Sequence, residues 1–294
     1  MKILKDVNLS EYTSWLIGGT ADNFCLPTNI EELQAALIAA KQNNWPITVF
    51  SGGSNILISD KGVRGLTICL RRFTNTVLEK KDDKIIITCL SGTAKAELLK
   101  IFLKNQLPPA LFLAGLPGDV GGGVVMNAGV AEMFQPREFM ELVDWLEVVD
   151  YNGNIRRIGK EELNISYRHC GGWQPGIISS VGMVWSLAQD KDILLKVREA
   201  NKLRLTKQPL DLPSCGSVFR NPDGFKAAQL IDQCGIKGFR VGDAQVSLKH
   251  ANFIVNLNNA TATDVWQVIK HVQETVLLKK KIKLTTEVVR LGEW

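Results

Sequence analysis

Ala114-Gly115-Leu116-Pro117-Gly118-Asp119-Val120-Gly121-Gly122-Gly123-Val124-Val125-Met126-Asn127-Ala128-Gly129 puts six glycines between Gly115 and Gly129. Glycine loses more backbone entropy on folding than any other residue, so so dense a run needs a compensating reason. One reason is a backbone packed against a large ligand with few side chains in the way; the other is a purely structural turn. A second glycine loop, Ser51-Gly52-Gly53-Ser54-Asn55, follows the apolar run Ile47-Thr48-Val49-Phe50. There glycines let backbone N–H groups approach an anion, and Ser and Asn add donors. No Gly-Lys-Ser/Thr follows, so it is not a P-loop. Ile56-Leu57-Ile58 reads as strand, so the helix N-terminus of a Rossmann fingerprint is missing. Two such loops in different segments suit a pyrophosphate held between two subdomains.

Outward from these loops the pattern is α+β without a strict βαβ rhythm. Residues 1–70 carry a helix in which Leu33, Ala36, Leu37 and Ala40 share a face, with Thr28 and Glu31 as its capping box. Asn43-Asn44-Trp45-Pro46 ends it, and Ile47–Phe50 is a short buried strand. Residues 71–200 are strand-rich. Ile85–Leu90 is a buried strand by its β-branched content, Ala94–Gln106 is an amphipathic helix, and Leu142–Val149 runs into the turn signal Tyr151-Asn152-Gly153-Asn154. Residues 201–294 carry a helix at Ala227–Cys234, a strand at Phe253–Leu257, a helix from Asp264 with Val265, Ile269, Val272 and Val276 on one face, and a strand at Thr286–Leu291. Thr261 with Asp264 starts that last helix.

Composition excludes several classes. The chain has 294 residues, 45% hydrophobic and 22% charged, with 35 Lys+Arg against 30 Asp+Glu. These are values of a globular chain rather than a disordered or fibrous one. A net charge of +5 without a basic patch argues against a nucleic-acid partner. Lys279-Lys280-Lys281 reads as a solvated helix end. The uncharged stretch Gly171–Gln189 is broken by glycines and a proline, so no membrane insertion is expected. No apolar signal core follows Lys2 and Lys5, which points to the cytoplasm. Six scattered cysteines lack any Cys-x-x-Cys spacing and read as reduced thiols, and no metal-ligand spacing is present.

The C-terminal third gathers polar groups. Ser217, Arg220 and Asn221 lie within five residues; if extended, Ser217 and Phe219 would share one face and Val218 and Arg220 the other. Lys249 and His250 precede an apolar strand, and Glu287 interrupts another. Tyr167-Arg168-His169 adds a phenol, a guanidinium and an imidazole. His169 and His250 are candidate bases as well as ordinary loop histidines, and no Gly-x-Ser-x-Gly elbow exists.

At these residues the chain resembles the UDP-N-acetylenolpyruvoylglucosamine reductases. The resemblance runs through Ile17-Gly18-Gly19, Gly53-Ser54-Asn55-Ile56-Leu57, Gly115-Leu116-Pro117-Gly118, Val120-Gly121-Gly122, Met126-Asn127-Ala128-Gly129, Tyr167-Arg168, Gly216–Pro222, His250–Asn256 and Glu287-Val288. It covers nearly the full length and is similar to the family's shorter subtype. It implies a two-part FAD-binding region of the vanillyl-alcohol-oxidase type (1–70 and 71–200) plus a C-terminal α+β substrate domain (201–294). Its implied reaction moves hydride from NADPH through FAD to the enolpyruvyl ether of UDP-N-acetylglucosamine.

The resemblance also implies roles. Ser217 matches the proton donor, Arg168 and Glu287 the other catalytic groups. Ser51, Gly52, Gly53, Ser54, Asn55, Gly115, Pro117, Gly118, Gly121, Gly122 and Asn127 fall to the cofactor; Tyr167, Arg220, Asn221, Lys249 and His250 fall to the substrate. A serine is a poor acid, so nearby charge must stabilise its alkoxide; Glu287 would have to be substantially buried. No histidine precedes His169, so a histidyl–flavin bond from the N-terminal half is impossible and the FAD is expected to be non-covalent. A monomer is expected. Ser51 stands where the family usually has Gly, Asp119 where Thr or Ser is usual, and residues 130–137 depart from the usual pattern. Asp119 would repel a pyrophosphate unless it points away. A flavin oxidase acting on alcohols and a degenerate sugar-nucleotide-binding protein are the competing readings.

Overall fold

A computed structural model describes residues 1–129 and 136–294, and in it the chain crosses repeatedly between two units. The first holds Met1–Leu4, Phe24–Gly52 and Gly65–Leu203; the second holds Lys5–Asn23, Gly53–Arg64 and Arg204–Trp294. The altered loop at 130–137 lies outside the described residues as far as 135.

In the first unit an antiparallel sheet runs in the order Thr76–Lys81, Lys84–Leu90, Ile177–Ser186, Val143–Val149, Ile155–Gly159. Ile85, Ile87 and Cys89 alternate inward along Lys84–Leu90, as a half-buried strand requires. Ile177–Ser186 is buried on both faces for most of its length because it is the central strand. The hairpin at 150–154 closes on the Asp150 carboxylate, which accepts from the Asn152 and Asn154 amides. Lys95–Lys104 lays Leu98 and Phe102 on this core. A second core in the same unit packs the Ile30–Gln42 helix, through Leu33, Ala36, Leu37 and Ala40, with Leu66 and Ile68. Ile47–Phe50 pairs in parallel with Leu66–Cys69. The helix cap is shifted by one from the expected box: Asn29 accepts from the Glu32 amide, and Glu32, not Glu31, returns its carboxylate to Thr28.

In the second unit the Ala262–Lys280 helix buries Val265, Ile269, Val272 and Val276 against Ala244–Val246 and Ile254–Asn256. Its capping box is the expected Thr261–Asp264 pair. Ile56–Ile58 pairs in parallel with Val289–Leu291, and Trp15 is fully buried, its indole N–H donating to the Ile254 carbonyl at 2.8 Å. The Asp60 carboxylate accepts from the Ala262 and Thr263 amides and the Thr263 hydroxyl at 2.6–2.8 Å. It thereby occupies the positive end of the longest helix.

Three elements differ from the sequence expectation. The glycine run contains a short helix, Val120–Val125. Ser217–Arg220 forms no strand: only Phe219 bridges, to Thr286, and the consecutive Val218 and Phe219 are both buried. A helix at Ile193–Lys207 left no readable stripe, since it buries only Ile193 and Val197 and leaves Leu194, Leu195, Leu203 and Leu205 exposed. All six cysteines are free and buried. Among the described residues no helix is long and apolar enough to cross a membrane, and no cluster has metal-ligand character.

Asp60→Ala should lower unfolding stability by about 1 kcal/mol through loss of the helix-end bonds. Urea denaturation checks this; an unchanged midpoint would show that water replaces the carboxylate without loss.

Candidate active site

In the second unit the site grows from one asparagine. Asn252 is buried and clamps the backbone at 218–219. Its carbonyl accepts from the Val218 amide (2.9 Å), its Oδ1 accepts from the Phe219 amide (3.0 Å), and its Nδ2 donates to the Phe219 carbonyl (2.9 Å). The Val218 carbonyl then accepts from the Glu287 amide at 2.7 Å, and the Arg220 amide donates to the Thr285 carbonyl at 3.0 Å. Ser217 and Glu287 are therefore brought to neighbouring positions on joined backbones, both half-buried. Glu287 is less enclosed than the resemblance required. Its charge lies near enough to Cys215 to reinforce the upward shift that burial imposes on that thiol. Asn55 joins the same network: its Nδ2 donates to the Glu287 carbonyl (3.1 Å) and its carbonyl accepts from the Val289 amide (3.0 Å).

The residues expected to hold substrate have mixed surroundings. Arg220 is half-buried. Asn221 is exposed, and its Oδ1 accepts from the Ala227 amide at 3.0 Å, where the Ala227–Gln233 helix begins. Lys249 is exposed and donates from Nζ to the Leu205 carbonyl at 2.6 Å. His250 accepts at Nδ1 from the Asn252 amide (3.3 Å) and stands edge-on to Phe253. Burial, with the Lys237 charge adding to it, holds its pKa below the ordinary value and favours neutral imidazole.

In the first unit Tyr167 and Arg168 form the turn between Asn164–Ser166 and His169–Gly171. Arg168 has a left-handed backbone (φ 57°), stacks its guanidinium over the Tyr167 ring at 4.8 Å, and donates to the Gly129 carbonyl at 3.0 Å. Asn127 is fully buried. Its Nδ2 donates to Glu138 Oε2 (2.6 Å) and the Ser166 carbonyl (3.1 Å), and its Oδ1 accepts from the Met140 amide (3.2 Å). The Asn127 side chain thus anchors the strand end that leads into the Tyr167–Arg168 turn.

The two glycine loops divide by purpose. Gly53 has φ +67°, and a Cβ there would overlap the Tyr12 carbonyl oxygen, so this glycine serves chain packing. Ser54 beside it is half-buried. In the first unit the Gly118–Gly121 backbone runs beside Ser91–Lys95. Lys95 donates its amide to the Gly118 carbonyl, and the Val120 and Gly121 amides donate to Thr93 and Ser91 carbonyls. Gly115 is half-buried and Pro117 exposed. Gly122 faces open space: nothing lies within 4 Å of where its Cβ would be. The Ser91 hydroxyl, next to Gly121, is buried without a hydrogen-bond partner among the described residues, as is the Ser14 hydroxyl, whose amide donates to the Gly53 carbonyl. Buried hydroxyls without partners are what a bound polar group or its water would satisfy. In the first unit the exposed Gly122 and the partnerless Ser91 hydroxyl fit a bound polar cofactor.

Asp119 does point away from open space: it accepts a 2.5 Å hydrogen bond from Ser51 Oγ and is buried. Near it lies Lys95, a buried lysine that the sequence reading passed over. The signal was present, since Lys95, Leu98 and Phe102 share the i, i+3, i+7 face of one helix. Asn252 and Ser91 were likewise passed over; a lone Asn ahead of an apolar strand and a Ser at a strand end carry no local signature.

Comparison with known proteins places the chain. A family model described as an FAD binding domain matches residues 21–159, which contain both glycine loops, and with the reductase relatives that match the whole chain it makes this an FAD-dependent oxidoreductase. A second model, the C-terminal domain of UDP-N-acetylenolpyruvoylglucosamine reductase, matches residues 208–291. The chain is 37% identical over its whole length to the UDP-N-acetylenolpyruvoylglucosamine reductase of Pediococcus pentosaceus, covering 95% of that protein. It is 39% identical over 97% of its length to that of Listeria welshimeri, covering 94% of it. The crystal structure of the Thermus caldophilus reductase superposes with a TM-score of 0.80 at 31% identity, covering 99% of this chain and all of that one. The chain belongs to the UDP-N-acetylenolpyruvoylglucosamine reductase family.

Burial lowers the Lys95 pKa from 10.5 to about 8, against the opposing pull of Asp119. Between those values the folded protein binds one proton fewer than the unfolded chain, so stability rises with pH there; below about pH 8 the buried ammonium opposes folding. Relative to Lys95→Met, the unfolding free energy should rise by about 3 kcal/mol from pH 8 to 10.5. A pH-independent difference in urea unfolding would contradict this.

Proposed function

We propose that this protein catalyses the NADPH-dependent reduction of UDP-N-acetylglucosamine enolpyruvate to UDP-N-acetylmuramate, a step of peptidoglycan precursor synthesis. The observation that carries the reading is full-length identity to reductases of that name, together with the joined backbones of Ser217 and Glu287. FAD would be held non-covalently by the two glycine loops and would supply the hydride chemistry between NADPH and the enolpyruvyl C3.

The chain's own residues handle charge and protons. Hydride arrival at C3 drives negative charge into the substrate carboxylate, and Arg168 offers it a planar, permanently charged fork. The Ser217 hydroxyl gives its proton to C2. Its alkoxide requires positive charge nearby until solvent returns the proton. Glu287 stands beside the site of proton transfer, where a protonated carboxyl would donate a hydrogen bond to the developing charge and an ionised one would repel it. Arg220, Asn221, Lys249, His250 and Tyr167 contact the UDP-sugar. Residues 1–70 and 71–200 serve as the two FAD subdomains and 201–294 as the substrate domain. The protein acts as a cytoplasmic monomer, with no nucleic-acid partner and no membrane insertion.

Ser217→Ala should leave the NADPH half-reaction within about twofold of wild type and slow reoxidation by the enolpyruvyl sugar nucleotide by at least ~10²-fold, the usual scale of general acid catalysis. Arg168→Ala should slow the same second half. Stopped-flow absorbance at the flavin band separates the halves; equal slowing of both would remove Ser217 from proton transfer, and normal reoxidation would remove Arg168 from the site.

A further inference from the structure

The first unit holds a buried polar cluster that the reaction itself does not use. Ser51 Oγ donates to Asp119 Oδ2 at 2.5 Å, joining the two glycine loops through side chains 68 residues apart in sequence. The Asp119 carboxylate also fills the space above Gly52. A Cβ on Gly52 would lie 3.1 and 3.2 Å from its two oxygens and 3.2 Å from the Gly118 Cα. On the other side of Ser51, the Arg71 guanidinium donates to the Gly52 carbonyl at 3.4 Å. Behind Asp119, its own backbone bridges to Ala94, one residue from buried Lys95.

A carboxylate with little solvent and a single short hydroxyl bond is a strong positional constraint. Gly52 lies so close to Gly118 that a side chain at Gly52 would crowd both the Gly118 Cα and the seated carboxylate. From this geometry we infer that Ser51 and Asp119 form a loop clamp, a positioning pair that holds the Ser51–Gly52 and Gly118–Gly122 backbones at the spacing FAD requires. The inference rests on the assignment of these loops to FAD.

The charges around the clamp are consistent with that role. Burial raises the Asp119 pKa, while the Ser51 bond and the charges of Lys95 and Arg71 pull it back toward the ionised form. Cys69, on the strand leading to Arg71, is buried and feels Asp119 as a charge that raises its own pKa, pushed by burial to about 11. It therefore stays a neutral thiol beside the carboxylate. The hydroxyl bond and two cations offset part of the desolvation of this carboxylate. Neither Ser51 nor Asp119 needs to touch the cofactor for the clamp to work.

A double-mutant cycle on FAD affinity tests this. Apoprotein of wild type, Ser51→Ala, Asp119→Ala, Asp119→Asn and Ser51→Ala/Asp119→Ala would be titrated with FAD, following quenching of flavin fluorescence, with a melting temperature recorded for each apoprotein. The clamp predicts that Ser51→Ala weakens FAD binding by about fivefold, the scale of one hydrogen bond. The double variant should bind no more weakly than Asp119→Ala, because one shared interaction is removed once. Asp119→Asn, which keeps an acceptor for Ser51 but no charge, should bind FAD more tightly than Asp119→Ala. Should Asp119→Ala fail to fold, Ser51→Ala and Asp119→Asn still decide the matter, since each leaves the site packed. Unchanged affinity in Ser51→Ala with FAD binding intact would overturn the clamp and leave the cofactor assignment standing. Losses that multiply in the double variant would also overturn it. Failure of the wild-type apoprotein to bind FAD would overturn the cofactor assignment and the clamp with it.

Discussion

The C-terminal site depends on a 2.7 Å hydrogen bond from the Glu287 amide to the Val218 carbonyl. It fixes a carboxylate one residue removed from a serine, although the two are separated by 69 intervening residues of chain. Asn252 makes it possible by holding Val218 and Phe219 from the other side through three bonds, all buried. Buried polar groups of this kind are costly unless every partner is present, and a satisfied network specifies one arrangement. Asn55 extends the same network, so the loop after Ile47–Phe50 contributes to positioning Glu287 rather than only to holding a cofactor. Proton transfer from a serine needs such rigidity: a weak acid is useful only when its proton and the developing charge are placed before the reaction begins.

The glycine loops follow a different logic. Gly53 and Gly52 are required by neighbouring protein atoms, a carbonyl and a carboxylate, whereas Gly122 has no protein neighbour to explain it. Only the last kind of glycine speaks for a ligand. The buried Ser91 hydroxyl beside Gly121 points the same way. Asp119, which a simple reading sets against a pyrophosphate, is turned into the protein, where Ser51, Lys95 and Arg71 offset part of the cost of its burial. Negative charge near an anion site is tolerable when it is oriented and neutralised locally.

Most of the fold was legible in the sequence because periodicity reports burial. The helix from Thr261 and the strand at Ile85–Leu90 were readable from spacing and caps, and the Asn152-Gly153 turn from its dipeptide. The helix at Ile193–Lys207 was not, because it exposes its leucines and so shows no stripe. The Val120–Val125 helix was hidden by three glycines, whose low helix propensity is overridden by packing. The chemistry of the site was legible only through the family resemblance: a serine, an arginine and a glutamate carry no spacing signal when they come from three distant segments. Asn252, which holds the backbone beside Ser217, and Lys95, which lies near Asp119, were visible only as polar residues beside or among apolar ones. Asn127 shows the converse, an expected ligand contact whose side chain is wholly engaged by Glu138, Ser166 and Met140.

Whether one chain passes hydride from NADPH through FAD to an enolpyruvyl sugar nucleotide is tested most directly by an anaerobic absorbance titration of the purified protein. The flavin spectrum should bleach on addition of NADPH and return when UDP-N-acetylglucosamine enolpyruvate is added. Bleaching without return would contradict the assigned substrate, and a protein that takes up no flavin after reconstitution would contradict the cofactor and the reaction together.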